Sequence, residues 1–166
     1  AGPAAGADVN VSVVALLSPS PSNTTNTLPS SVLSVPKGQD YYVEVWASDV
    51  GTTNTGLTSV YTDVAFTPSS AASVQSINHG GIFTVFASGT VISGGIDELG
   101  GSSLTGAGVE PQWARVATIR MRADTAGTIS FSLAASATGV AALGRGLIPW
   151  PQVSLGNVTF EQVQCP

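Results

Sequence analysis

The stretch Gln39–Phe66, QDYYVEVWASDVGTTNTGLTSVYTDVAF, decides the fold. Its first half places Val43, Val45 and Ala47 on one face, with Tyr42, Glu44 and Trp46 on the other. Its second half alternates Val60, Thr62, Val64 and Phe66 with Tyr61, Asp63 and Ala65. A period of two over six or more residues marks a strand with one face in a core. Gly, Thr and Asn fill the segment between, so the two runs read as neighbouring strands of an antiparallel sheet.

The same period recurs on both sides. Val9, Val11, Val13, Ala15 and Leu17 share a face of an N-terminal strand, whose second half is apolar on both faces (Val14, Leu16) and therefore covered on both. Residues 18–31, SPSPSNTTNTLPSS, read as a linker. Downstream, short strands are expected at 32–35, 74–77, 82–86 and 90–93, with longer ones at 113–122, 128–135 and 157–163. In the last, Gln162 interrupts the apolar face set by Val158 and Phe160, so the alternation fades there. The glycine-rich segment 94–108 reads as loop. The expectation is an all-β chain of about nine strands in a two-sheet sandwich. Its parts are an N-terminal arm (1–17), a Pro/Ser/Thr linker (18–31) and a sandwich domain (32–166).

At 166 residues the chain suits one domain. Five basic residues against ten acidic ones give a net charge of −5, which argues against nucleic-acid or anionic-membrane partners. No apolar run reaches a membrane span of about 18 residues. The opening AGPAAGADV reads as a mature end left after leader removal, favouring export. Cys165, the one cysteine, has no partner in the chain for a disulfide.

Chemistry is sparse. His79 is the single imidazole, no G-x-S-x-G elbow exists, and a turn role is expected for it. Asp97 and Glu98 are adjacent and should point apart on an extended chain. No calcium-loop motif or Cys/His cluster is present, so neither metal nor cofactor is expected. Asp49 and Asn54 read as turn-capping residues. Tyr42, Trp46 and Trp150 are candidate sugar-stacking rings, the first two about 13 Å apart on one strand face. Of the Asn-x-Ser/Thr sequons, Asn23 is the one placed to carry a glycan easily.

The order of segments resembles the cohesin domain, a jelly-roll β-sandwich of the extracellular cohesin–dockerin system. VPKGQDYYVEVWASDV resembles its opening, GLTSVYTDVAFTPSSAASVQSINHGGIF its long strand, proline turn and glycine before phenylalanine, and ARVATIRMRADTAGTISFSL its late hairpin. Two features depart from the family. Phe66-Thr67-Pro68 stands for its tyrosine-aspartate-proline, and the 18–31 linker stands where a brief turn is usual.

The resemblance implies a non-catalytic, extracellular protein–protein module. Two versions follow. In one, Val9 to Leu17 folds into its own domain and an outer sheet face carrying Tyr61, Asp63, Thr128, Ser130 and Ser132 binds a dockerin-like partner. In the other, favoured by the long linker, Val9, Val11, Val13, Ala15 and Leu17 complete a neighbouring copy and build a fibre by strand addition. Polysaccharide binding through the aromatic rings is the competing class.

Overall fold

The computed structural model describes residues 7–164, and the chain is built almost wholly from strands. In chain order these are β1 (Val9–Leu16), β2 (Thr24–Thr25), β3 (Ser34–Pro36), β4 (Asp40–Asp49), β5 (Leu57–Thr67), β6 (Ala72–Asn78) and β7 (Val85–Ile92). They continue as β8 (Gly95–Ala107), β9 (Trp113–Ala123), β10 (Gly127–Ala142), β11 (Gly146–Ile148), β12 (Val153–Leu155) and β13 (Asn157–Val163). A single 3-10 turn, Trp150–Gln152, precedes β12.

Two sheets pack face to face. The first runs β12-β1-β4-β9-β2, with β6 also on β9; the second runs β3-β13-β10-β5-β8-β7, with β11 on the end of β10. Their inner rows come from the alternations legible in the sequence: Val43, Val45 and Ala47 from β4, and Val60, Val64 and Phe66 from β5. Tyr41, Phe66, Phe131 and Phe160 form an aromatic cluster, with Tyr41 edge-on to Phe160 at 5.3 Å. The Tyr41 hydroxyl donates to Gln162 Oε1 at 2.9 Å, and Gln162 Nε2 donates to the carbonyls of Ala71 and Thr125. Gln162 thus continues the inward face of β13 as a satisfied polar residue, and the alternation does not fade there.

β4 and β5 are not paired neighbours, contrary to the hairpin reading; they belong to opposite sheets. The buried Asp49 at the end of β4 explains the crossing. Its carboxylate accepts the Gly56 N–H at 2.8 Å and the Gly51 N–H at 3.4 Å, and it binds Arg145. This capped loop carries the chain over the sandwich rim, so two apolar faces meet across the core instead of edge to edge. The turn-capping role expected for Asp49 is what the structure shows.

The glycine-rich segment 94–108 is not a loop but β8, between β5 and β7. Its glycines mark close approach of backbones rather than turns. A Cβ on Gly100 would lie 1.8 Å from the Val60 carbonyl oxygen, and one on Gly101 would lie 2.0 Å from that of Phe83. The two short strands expected at 82–86 and 90–93 are one strand, β7.

The N-terminal arm lies in its own sandwich. β1 pairs antiparallel with β4 through eight residue pairs and parallel with β12. Val9, Val11, Val13 and Ala15 are buried in the core of the same chain, while Leu17 lies beyond the strand, 45% exposed. In this chain the row of valines fills a groove of its own sandwich.

The linker is not free either. β2 pairs with β9, the Arg115 N–H donates to the Asn23 carbonyl, and Val32 N–H donates to the Ala15 carbonyl. Residues 18–31 form a strap over the outer face of the first sheet. Cys165 lies outside the described residues.

Candidate functional site

The two outer sheet faces differ in kind. Beneath the strap, Glu44 is fully buried in the middle of β4. Its carboxylate accepts bonds from Arg115 Nη1 at 2.8 Å, Ser20 N–H at 2.7 Å, Ser20 Oγ at 2.6 Å and Trp46 Nε1 at 3.2 Å. Arg115 also donates to the Ser20 carbonyl and, through Nε and Nη2, to Asn23 Oδ1. Its guanidinium sits 5.6 Å from the Trp46 ring centroid. Every charge is matched, so a desolvated ion pair is tolerated and pins the strap to the sheet.

Two sequence expectations fail on this sheet. Trp46 is fully buried and offers no face to a sugar. Trp150 lies half-buried in the 3-10 turn, lining a hollow with Leu147 and Ile148. The Asn23 amide is held between Arg115 and the 80–81 turn, where a Cβ on Gly81 would come within 2.8 Å of Asn23 Nδ2; this sequon is not an easy site for a glycan.

The second sheet presents an open outer face, and it carries all five residues assigned to it from sequence. Tyr61 and Asp63 come from β5, and Thr128, Ser130 and Ser132 from β10. Tyr61 is mostly buried by its neighbours, its hydroxyl donating to the Phe86 carbonyl at 2.8 Å. Thr128 donates to Glu161 at 2.6 Å, and Ser130 shares a hydrogen bond with Thr159 at 2.8 Å. The result is a pleated surface of cross-strand hydroxyl pairs.

Asp97 and Glu98 join this face, which the sequence reading missed. A β-bulge shifts the β5–β8 register between Thr62 and Val64, and Glu98 takes a φ of 53°. The bulge re-aims the two adjacent carboxylates, which a regular strand would point apart. Carboxylate oxygens of Asp63, Asp97 and Glu98 lie within 4.8 Å of one another. Glu98 accepts from the N–H groups of Ala137 and Thr138 and from the Thr138 hydroxyl, and Asp63 Oδ1 accepts the Glu98 N–H at 2.9 Å. Desolvation raises the Glu98 pKa, but these bonds outweigh it and hold the carboxyl below its usual range. Asp97 is pushed above its usual range by desolvation, then by Asp63 and Glu98. Glu98 is tied down by these bonds, Asp63 accepts one and Asp97 is exposed, so the three carboxylates form an acidic spot on this face. Along the β7 edge of this sheet, Phe86 is 82% exposed and Val91 and Ile92 are about half exposed.

His79 sits in the turn after β6, where Asn78 Oδ1 accepts the Gly80 N–H at 2.7 Å, as expected for a turn residue. Its Nδ1 is buried without a partner, and burial lowers its pKa from 6.5. The unfolded chain therefore binds a proton that the folded chain resists. Stability from this residue is fully present above pH 6.5 and declines as pH falls below it. Melting curves from pH 7.5 to 5 should show a modest drop that His79→Gln removes.

No family model matches the sequence, and comparison with curated proteins gives no match either. Solved structures do match. The cohesin module of a family 33 glycoside hydrolase from Clostridium perfringens aligns at TM-score 0.60 and 15% identity, covering 86% of this chain and 97% of that one. A type I cohesin from a cohesin–dockerin complex of Clostridium thermocellum aligns at 0.60 and 13% identity, covering 93% and 99%. A type I cohesin from Pseudobacteroides cellulosolvens aligns at 0.56 and 11% identity, covering 95% and 94%. Identities this low speak for architecture alone, and they speak clearly: the chain has the cohesin-type jelly-roll fold.

Proposed function

We propose that this chain is a non-catalytic extracellular binding module that holds a dockerin-like partner protein on the outer face of β10, β5, β8 and β7. The observation that carries the reading is the contrast between the two sheets. One outer face is strapped over by the chain itself, whereas the other is open, lined with hydroxyls and raised at its centre into the Asp63–Asp97–Glu98 spot. Such a surface suits a partner that brings hydroxyl or cationic groups to an acidic centre and apolar groups to the β7 rim. The Clostridium thermocellum cohesin with the same fold is complexed with a dockerin, which supports that class of partner.

Fibre assembly by strand addition is the weaker reading, because the groove that a donor strand would enter is already filled by β1. Immobilising the protein and passing a panel of dockerin modules over it tests the proposal. At least one should bind, and Asp63→Lys should weaken that binding about tenfold or more by placing a cation at the acidic centre. Failure of every dockerin to bind, or indifference to Asp63→Lys, would refute it.

A further inference from the structure

On the strapped sheet one hollow stays open, a groove of about 550 Å³ between the strap and the 78–81 turn. Its volume is in the range of sites for small organic ligands. The floor is Tyr42 of β4 and, directly opposite it on β9, Arg120; Thr118 and Ser76 flank them, and Asn78 stands on the far wall. One wall is rigid, since Asn23 and Arg115 are locked by the hydrogen bonds around Glu44. The groove is equally polar and apolar in character, with hydroxyl, amide and guanidinium groups converging on one half-buried aromatic ring.

Charge narrows the ligand class. The protein is acidic overall, yet three of its four arginines lie on β9: Arg115 and Arg120 line the groove, and Arg122 stands two residues beyond its end. Arg115 is neutralised by Glu44 and buried. Arg120 is also ion-paired, with Nε and Nη2 on one Asp40 oxygen at 2.8 and 2.6 Å, but its side chain is 51% exposed and lines the groove. Arg122, two residues further on the same strand face, forms no ion pair among the described residues. A carboxylate arriving at the Arg120–Arg122 end would meet guanidinium donors suited to it.

We propose that this groove binds a uronic-acid saccharide, its carboxylate on Arg120 and Arg122, a pyranose ring on Tyr42, and ring hydroxyls on Asn78, Thr118 and Ser76. The site lies on the sheet opposite the proposed dockerin face, so the module can hold an acidic polysaccharide and a protein partner together. A free acidic peptide would satisfy the arginines but would leave the ring and hydroxyl groups without a role.

Calorimetry with trigalacturonate, cellotriose and a short polyglutamate peptide tests this on the full chain. Saturable binding of trigalacturonate is expected, weakening as salt rises, with cellotriose and polyglutamate each about tenfold weaker or worse. Arg120→Gln and Tyr42→Ala should each reduce trigalacturonate binding about tenfold, at a melting temperature close to that of the parent. Ser76→Ala, at an exposed β6 position whose hydroxyl has no hydrogen-bond partner among the described residues, provides a variant whose folding is not at stake and should also weaken binding. Absence of saturation at about 10 mM would overturn the proposal, since that is weaker than any specific site of this size. Equal binding of polyglutamate, unaffected by Tyr42→Ala, would overturn it too. Loss of dockerin binding in Asp63→Lys with saccharide binding intact would show the two sites to be independent, as proposed.

Discussion

Deleting residues 1–17 should leave a chain that does not fold, rather than a soluble domain awaiting a donor strand. β1 lies between β4 and β12, so its removal strips eight residue pairs from β4 and exposes a central edge of the first sheet. Val9, Val11 and Val13 are each at most 3% exposed. Burying a valine contributes roughly 1.5–3 kcal/mol, so the three together supply about 5–9 kcal/mol before any hydrogen bond is counted. Whole domains are stable by about 5–15 kcal/mol, so the loss is comparable to everything the fold has. Circular dichroism and a denaturant titration of the truncated chain should show no cooperative transition. The intact protein should sediment as a monomer at micromolar concentration. A truncated chain that melts cooperatively, or an intact chain that forms fibres, would return the arm to the trans role suggested by its long linker.

Removing one partner of the Glu44–Arg115 pair is the second large effect. Glu44→Ala would leave the Arg115 guanidinium, the Trp46 N–H and Ser20 without their common acceptor beneath the strap. Breaking one side of a buried pair costs about 3–5 kcal/mol, because the surviving charge stays desolvated. In a chain of this length that corresponds to a fall in melting temperature of roughly 6–20 °C. The double change Glu44→Leu with Arg115→Met should be much milder, since no orphan charge remains. Limited proteolysis gives a second readout: residues 18–31 should become a preferred cleavage site in Glu44→Ala and not in the parent. Equal resistance in both would mean that the strap is held by something other than this pair.

The fold was legible in the sequence wherever alternation was clean. β1, β4, β5 and β10 lie on stretches whose period of two is visible without a structure, and β9 was legible as a strand from its apolar length. What escaped was information that a single strand does not hold. Whether β4 and β5 pair or face each other depends on the loop capped by Asp49, whose bond to Arg145 spans most of the chain. β8 escaped because glycine normally signals a turn, whereas Gly100 and Gly101 are there so that two neighbouring backbones can approach.

The candidate sites follow the same division. Asp63, Thr128, Ser130 and Ser132 could be placed on the outer face because they alternate with core residues, whereas Tyr61, outward by the same count, is covered by its neighbours. Asp97 and Glu98 were misread because a bulge breaks the rule that adjacent side chains point apart. The strap had a signal that was open to reading: Glu44 sits inside the apolar run YYVEVW and Arg115 inside WARVATIRM. A lone charge amid apolar strand residues implies a buried partner of opposite sign, and these two lie on adjacent strands.

The face that meets the protein partner is the defining property of this module. Amide chemical shifts of the labelled protein, recorded as a binding dockerin is titrated in, test that directly on a chain of 16.6 kDa. Shifts should concentrate on residues 59–65, 97–103 and 128–138, with β1, β4 and β9 nearly unmoved. Shifts concentrated on β1, β4 and β9 instead would contradict the assignment of the open face as the protein-binding surface.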